Sequence, residues 1–257
     1  MKYSPRLPQT NPNVSEKSPM KEFLKDLGAI FLALIGLYIL LGFFVGILAQ
    51  KMPFSFEMAL GKAFSSPFTE MEQDEKREEV QSLLDELASL RPGEAIPVKV
   101  YVVKEDTVNA MALPGGTIVV FTGLLDKIEG EEELAFVLCH EMGHFAGRDH
   151  LKGMGRALVL QSLVVFVTGG DSGLASSLAL GMQGMETKFS QSAETAADRY
   201  ALEILKKRYH RVDGATGFMA RLAEKEKQGK LAYYFASHPH PEDRLKEIRA
   251  FAAHMKK

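Results

Sequence analysis

The sequence has one cysteine and almost no net charge: Lys+Arg 31 stands against Asp+Glu 33, a formal balance of -2 over 257 residues. A single cysteine excludes an internal disulfide, and the missing basic excess argues against a nucleic-acid binder. With 46% hydrophobic and 25% charged residues, disordered and collagen-like chains are excluded as well. These averages and a mean hydropathy of -0.06 suggest an ordinary soluble protein. One segment departs from them.

From Leu27 to Ala49 no charged residue occurs in 23 positions. At 1.5 Å per residue that is roughly 34 Å of helix, enough to span a bilayer. Its four glycines, Gly28, Gly36, Gly42 and Gly46, are common in membrane spans. The run exceeds a signal-peptide core and no clear cleavage site follows, so an uncleaved single-pass anchor over 27–49 is expected. Lys2, Arg6, Lys17, Lys21 and Lys25 precede it, whereas Lys51 and Lys62 follow. The positive-inside rule then puts the N-terminus in the cytoplasm and the rest on the periplasmic or extracytoplasmic side, as in a bacterial inner-membrane protein. Residues 1–26, with Pro5, Pro8, Pro12 and Pro19, read as a disordered tail.

Residues 50–69, which include Pro53 and Pro67, read as a linker, and 70–257 as one domain. The acidic run Glu70 to Glu79 opens a helix that continues through Val80, Leu83, Leu84, Leu87 and Leu90 at helical spacing. Val98 to Val103 and Thr117 to Phe121 are β-branched and short, which predicts strands. Leu113-Pro114-Gly115-Gly116 predicts a turn before the second. The expected fold is α+β, mainly helical, with a small sheet behind one transmembrane helix.

Glu131-Glu132-Glu133 starts a helix in which His140-Glu141-Met142-Gly143-His144 forms the pattern H-E-x-x-H. Two histidines at i and i+4 share one face, so both imidazoles reach one Zn²⁺, while Glu141 can address a water as general base. Random order gives this pattern about once in 60 chains of this composition, so context has to carry it. A catalytic zinc needs a third protein ligand. Glu194 and Asp198, at i and i+4 among Ala193, Ala196, Ala197 and Ala201, supply one: Glu194 as ligand, Asp198 as the acceptor that orients an imidazole. Cys139 points away from His140 and reads as a small buried residue.

His140-Glu141-x-x-His144, Glu194-x-x-x-Asp198, the run Asn109 to Gly116, Gly123-Leu124-Leu125, and Ser237-His238-Pro239 with Arg244 together resemble the HtpX-like and CAAX-prenyl-endopeptidase group of zinc metalloproteases. The resemblance runs from about Val98 to Arg249 and implies a zincin-like metalloprotease domain with the gluzincin ligand set of His140, His144 and Glu194 and one Zn²⁺ per chain. It further implies that Asn109, Ala110, Met111 and Ala112 line an edge strand that pairs with an extended peptide. His238 and Arg244 become active-site neighbours, His238 as a stabiliser of the oxyanion or a gate on the zinc. Arg148-Asp149-His150 carries one residue more than the group's usual Arg-His.

Residues 157–170 and 172–185 are uncharged stretches of 14 residues each, too short to cross a membrane alone, and read as amphipathic helices packed on the active site as a lid or plug, with a membrane-dipping hairpin as the lesser alternative. The implied activity is endopeptidase cleavage of extended or misfolded polypeptides, with substrates and the lipid bilayer as partners. The alternative is an anchored chaperone-like assembly or quality-control factor with a latent zinc site. A membrane-embedded protease acting on lipidated tails is a weaker third reading, since the spans are too few.

Overall fold

The computed structural model describes residues 19–91, 97–169, 173, 189–227 and 238–255. Its chain order is α1 (Pro19–Lys51), α2 (Phe54–Glu70), α3 (Arg77–Ser89), β1 (Lys99–Val103), β2 (Ala110–Leu113), β3 (Thr117–Phe121), α4 (Thr122–Leu125), α5 (Glu131–Ala146), α6 (Asp149–Thr168), α7 (Gln191–Tyr209), α8 (Asp213–Lys227) and α9 (Pro241–Met255). The fold is α+β and mainly helical, as expected. Of the disordered tail foreseen for 1–26, residues 19–26 are instead the first turns of α1, and 1–18 lie outside the described residues. Proline at the first helical position costs no hydrogen bond, which lets the helix begin there. Of the two uncharged stretches, the first falls within α6 as far as Thr168, and 172–185 lies outside the described residues apart from Gly173.

The three strands form one sheet in the order β1-β3-β2, with β1 parallel and β2 antiparallel to β3. Successive side chains of a strand face opposite sides, and here both sides are apolar. Val100, Val102, Ala110, Ile118 and Val120 face the main core, built with α3, α5, α7, α8 and α9. Tyr101, Val103, Met111, Leu113, Val119 and Phe121 face a second core with Ala49, Phe64, Phe68, Leu151 and Met154. That second face explains the largest departure from the sequence reading. The linker expected over 50–69 is helix α2, which lays Phe64 and Phe68 on the sheet. An uncovered sheet face would leave six large side chains in water, at roughly 25 cal/mol per Å² of apolar area. Close approach is secured at Gly61, where an added Cβ would stand 2.5 Å from the Pro114 carbonyl oxygen.

The same helix corrects the start of the next. Glu70 closes α2 and α3 begins only at Arg77, with residues 71–76 threading between them. The turn expected at Pro114 is a short 3-10 turn over Pro114–Gly116 that needs glycine, since Gly115 and Gly116 take φ of 77° and 79°.

Helix α1 is apolar and long enough to cross a membrane, and none of its most hydrophobic window is buried. Its C-terminal end is fastened to the domain by Arg148, whose Nη1 donates to the carbonyls of Ala49 at 2.8 Å and Met52.

Candidate active site

Helices α5 and α7 cross tightly over a pair of small residues. A Cβ at Gly143 would lie 2.7 Å from Cα of Ala197, so glycine is required for this separation. Ala197 and Ala201 are buried in the contact, whereas Ala196 faces solvent. Ser190 caps α7, its Oγ accepting from the Ala193 amide at 3.2 Å. The crossing places Glu194 against the two histidines of α5.

Four donor atoms converge. His140, His144, Glu194 and His238 are all buried, and one ligand atom from each lies within 4.8 Å of the others. His140 Nε2 is 3.1 Å from His144 Nε2 and 3.3 Å from His238 Nδ1. Glu194 Oε1 is 3.3 Å from both His144 Nε2 and His238 Nδ1. Ligands on a tetrahedral zinc with 2.0–2.1 Å bonds stand about 3.3–3.4 Å apart, so these spacings fit the ion.

The outer contacts fix which nitrogens face the centre. His140 Nδ1 is 2.9 Å from Asp198 Oδ1. His144 Nδ1 is 3.2 Å from Asp149 Oδ2. With each Nδ1–H donated to a carboxylate, both Nε2 lone pairs point at one spot, an arrangement that requires a cation or a proton between them. Asp149 has no role in the sequence reading. It is the additional residue in Arg148-Asp149-His150, and Arg148 at φ 54° turns the chain so that the carboxylate reaches back to His144. His150 takes no part in the donor set: its ring stacks on Phe145 and its Nε2 lies 3.0 Å from the buried Glu57 carboxylate. Replacing Asp149 with alanine should weaken zinc binding by about 10–100-fold while the fold persists, measured by chelator competition and circular dichroism.

Charge in the site is arranged around Arg244. Its Nη1 lies 2.8 Å from Glu194 Oε2, and its Nε and Nη2 donate to the two Asp198 oxygens at 2.8 and 2.7 Å. Burial by itself would raise both acids, but the guanidinium prevails: Glu194 is held well below the carboxylate range and Asp198 is lowered to about 2. His140 is pushed down by burial and by Arg244. His144 behaves oppositely. Burial opposes its charge, yet the hydrogen bonds to Asp149 and Glu194 outweigh that and raise it to about 9.

Without metal, then, His144 carries the proton that lies between the lone pairs. A pKa raised from 6.5 to about 9 contributes stability that is complete below about 6.5 and disappears as pH climbs through 9. Thermal melts of the metal-stripped protein should lose stability across that window, and zinc binding should release the His144 proton at pH below about 9. Equal melting temperatures at both ends of the window would contradict this assignment.

Glu141 is buried beside the cluster, with Oε1 3.6 Å from His238 Nε2, and is outside the donor set. Phe189 stacks on His144 with ring centroids 4.0 Å apart, closing one wall. Cys139 is buried and its thiol is driven up by burial alone, which keeps it inert. Strand β2 packs against α5 and is an edge strand that has no strand on its outer side among the described residues. Asn109 precedes it, and Ala110, Met111 and Ala112 pair with Val120, Val119 and Ile118.

A histidine pair and a glutamate from two crossed helices, with His238 beside them, form a buried group that could hold a metal ion. The model of Peptidase family M48 matches residues 74–252. The chain belongs to that family. It is 35% identical over 162 residues to "Metalloprotease LoiP" of Escherichia coli K12, covering 61% of this chain and 63% of that protein. It is 30% identical to the "Beta-barrel assembly-enhancing protease" of Yersinia pestis, over 62% of this chain and 35% of the relative. To "Mitochondrial metalloendopeptidase OMA1" of Schizosaccharomyces pombe it is also 30% identical, over 58% and 45%. The matched part thus spans less than two thirds of each of these relatives.

Proposed function

We infer that the protein is a membrane-anchored, zinc-dependent endopeptidase acting on extended or misfolded polypeptides. The observation that carries this reading is the convergence of His140 Nε2, His144 Nε2 and Glu194 Oε1 at zinc-ligand spacing with Glu141 next to them. His140, His144 and Glu194 would hold the ion, one per chain. When bound, zinc supplies Lewis acidity, which acidifies a water molecule and polarises a scissile carbonyl.

The remaining work belongs to the chain. Glu141 accepts the proton of the attacking water and returns it to the departing amine. Asp198 and Asp149 keep the two imidazoles in one tautomer and orientation. His238 has two positions to fill. In the described arrangement its Nδ1 completes a four-donor set, so it has to move aside for water, after which its ring can donate to the oxyanion. Asn109 to Ala112 hold the substrate as an added strand on β2. The excess of Lys and Arg before residues 27–49 over those just after supports a cytoplasmic N-terminus and an extracytoplasmic domain.

The closed four-donor set favours a second reading, an anchored quality-control factor with a latent zinc site, because closed sets are typical of structural zinc. Both readings share the ligands and part on whether peptide bonds are cut. Glu194→Gln tests the ligand set: zinc content of the purified protein should fall from about one per chain to a small fraction while the fold is kept. Unchanged zinc would refute Glu194 as ligand.

A further inference from the structure

The uncharged part of α6 contributes no residue to the donor set, and its surroundings are unusual for a helix of a water-soluble domain. Helix α6 leaves the active site at Asp149 and runs back along α1. Arg148 binds carbonyls at the end of α1, a Cβ at Gly155 would meet Val45 Cγ1 at 2.4 Å, and one at Gly42 would lie 3.9 Å from Arg156 Cγ. Contacts therefore step backwards along α1 as α6 advances, so the helices are antiparallel. Along α1 the half-buried or buried positions include Leu34, Tyr38, Gly42, Val45 and Ala49, a single face at helical spacing. Small residues on that face, Gly42 and Ala49, let the two backbones approach, as membrane helix pairs do.

Past Arg156, α6 carries no charge through Thr168. Leu160, Val164, Phe166 and Val167 are 52%, 52%, 82% and 60% exposed. Polar groups in this stretch are looked after within the helix. Ser162 Oγ donates to the Leu158 carbonyl and Thr168 Oγ1 to that of Val164, both at 2.8 Å, and Gln161 lies half-buried in line with Leu158 and Val165. Satisfying hydroxyls on their own helix is unnecessary in water and needed in lipid.

We propose that Ala157 to Thr168 of α6 is embedded in the bilayer beside α1, entering from the side that carries the catalytic domain. The occupant of its exposed apolar face is lipid hydrocarbon. That face is continuous with the exposed apolar surface of α1, and its twelve residues extend about 18 Å, more than half of a hydrocarbon core about 30 Å thick. This rests on the reading of α1 as a membrane anchor. It also specifies the substrate class. Because α5 continues into α6 through Arg148 and Asp149, the donor set sits at the membrane surface, and the peptide bonds presented to it are those of chains lying against or emerging from the bilayer.

The test uses the full chain in vesicles of phosphatidylethanolamine and phosphatidylglycerol. Its one native cysteine, Cys139, is buried, so nitroxide labels can be placed singly through Leu160→Cys, Val164→Cys, Phe166→Cys and Val167→Cys, with Leu40→Cys on α1 and Lys246→Cys on α9 for reference. Collision with dissolved oxygen should exceed collision with a water-soluble nickel complex at all four α6 sites and at Leu40, several-fold in each case, and the order should reverse at Lys246. Nickel access at the α6 sites with lipid contact kept at Leu40 overturns the proposal and leaves the anchor intact. Weak access to both quenchers shows the face covered by protein and overturns it equally. Nickel access at Leu40 as well removes the anchor reading itself.

Discussion

Glu141→Gln should lower cleavage of an unfolded polypeptide by roughly 10²–10⁴-fold while zinc content and melting temperature stay unchanged. The amide has the volume of the carboxylate, and Glu141 is buried in a space of fixed shape, so nothing has to repack. Its carboxylate lies outside the four-donor set, with Oε1 3.6 Å from His238 Nε2, so metal binding does not depend on it. What is removed is the proton acceptor. At 1.36 kcal/mol per tenfold change, the loss corresponds to about 3–5 kcal/mol of the barrier. The measurement is turnover of a denatured substrate by metal-replete wild type and variant. Activity within a factor of about two of wild type would mean that the base is elsewhere.

Arg244→Ala should be the most destabilising single change in the site. One guanidinium, 2% exposed, faces two buried carboxylates: Glu194 through Nη1, and Asp198 bidentately through Nε and Nη2. Removing it leaves Asp198 in a dry interior without a countercharge and Glu194 with only the protonated His144 beside it, a loss of about 3–5 kcal/mol by analogy with other broken buried pairs. Lysine should not restore stability, because one ammonium cannot reach both carboxylates in the planar fork that arginine provides. Zinc should recover part of the loss, since a bound cation neutralises Glu194 and stabilises only the folded form. Denaturant titrations with and without zinc measure both effects. A variant as stable as wild type in metal-free buffer would contradict this assignment of charge.

Arg244 also shows where sequence reasoning stops. A motif singles it out, but its task of clamping Glu194 and Asp198 together depends on α9 docking against α7, a contact 46 positions away for Asp198. Spacing on one helix is readable: the i, i+4 pairs His140–His144 and Glu194–Asp198 follow from helical geometry alone. So are the two short strands at 98–103 and 117–121, from their β-branched runs. Helix α2 is hidden because Pro67 and the serines around it resemble a linker, and only the bare second face of the sheet requires a helix there. Asp149 is hidden for a local reason. It is five residues past His144, out of reach along a continuous helix, and comes back only because Arg148 adopts a left-handed conformation. His238 as a fourth donor depends on the placement of a turn that no periodicity encodes.

The central claim is hydrolysis by a metal held on His140, His144 and Glu194. The most direct measurement is cleavage of an unfolded protein by the purified full-length chain before chelation, after it, and after zinc is returned. Cleavage should vanish on chelation and return as zinc approaches about one equivalent per chain. Cleavage that survives complete removal of metal, or a chain that binds zinc and cuts nothing at any zinc level, would contradict it.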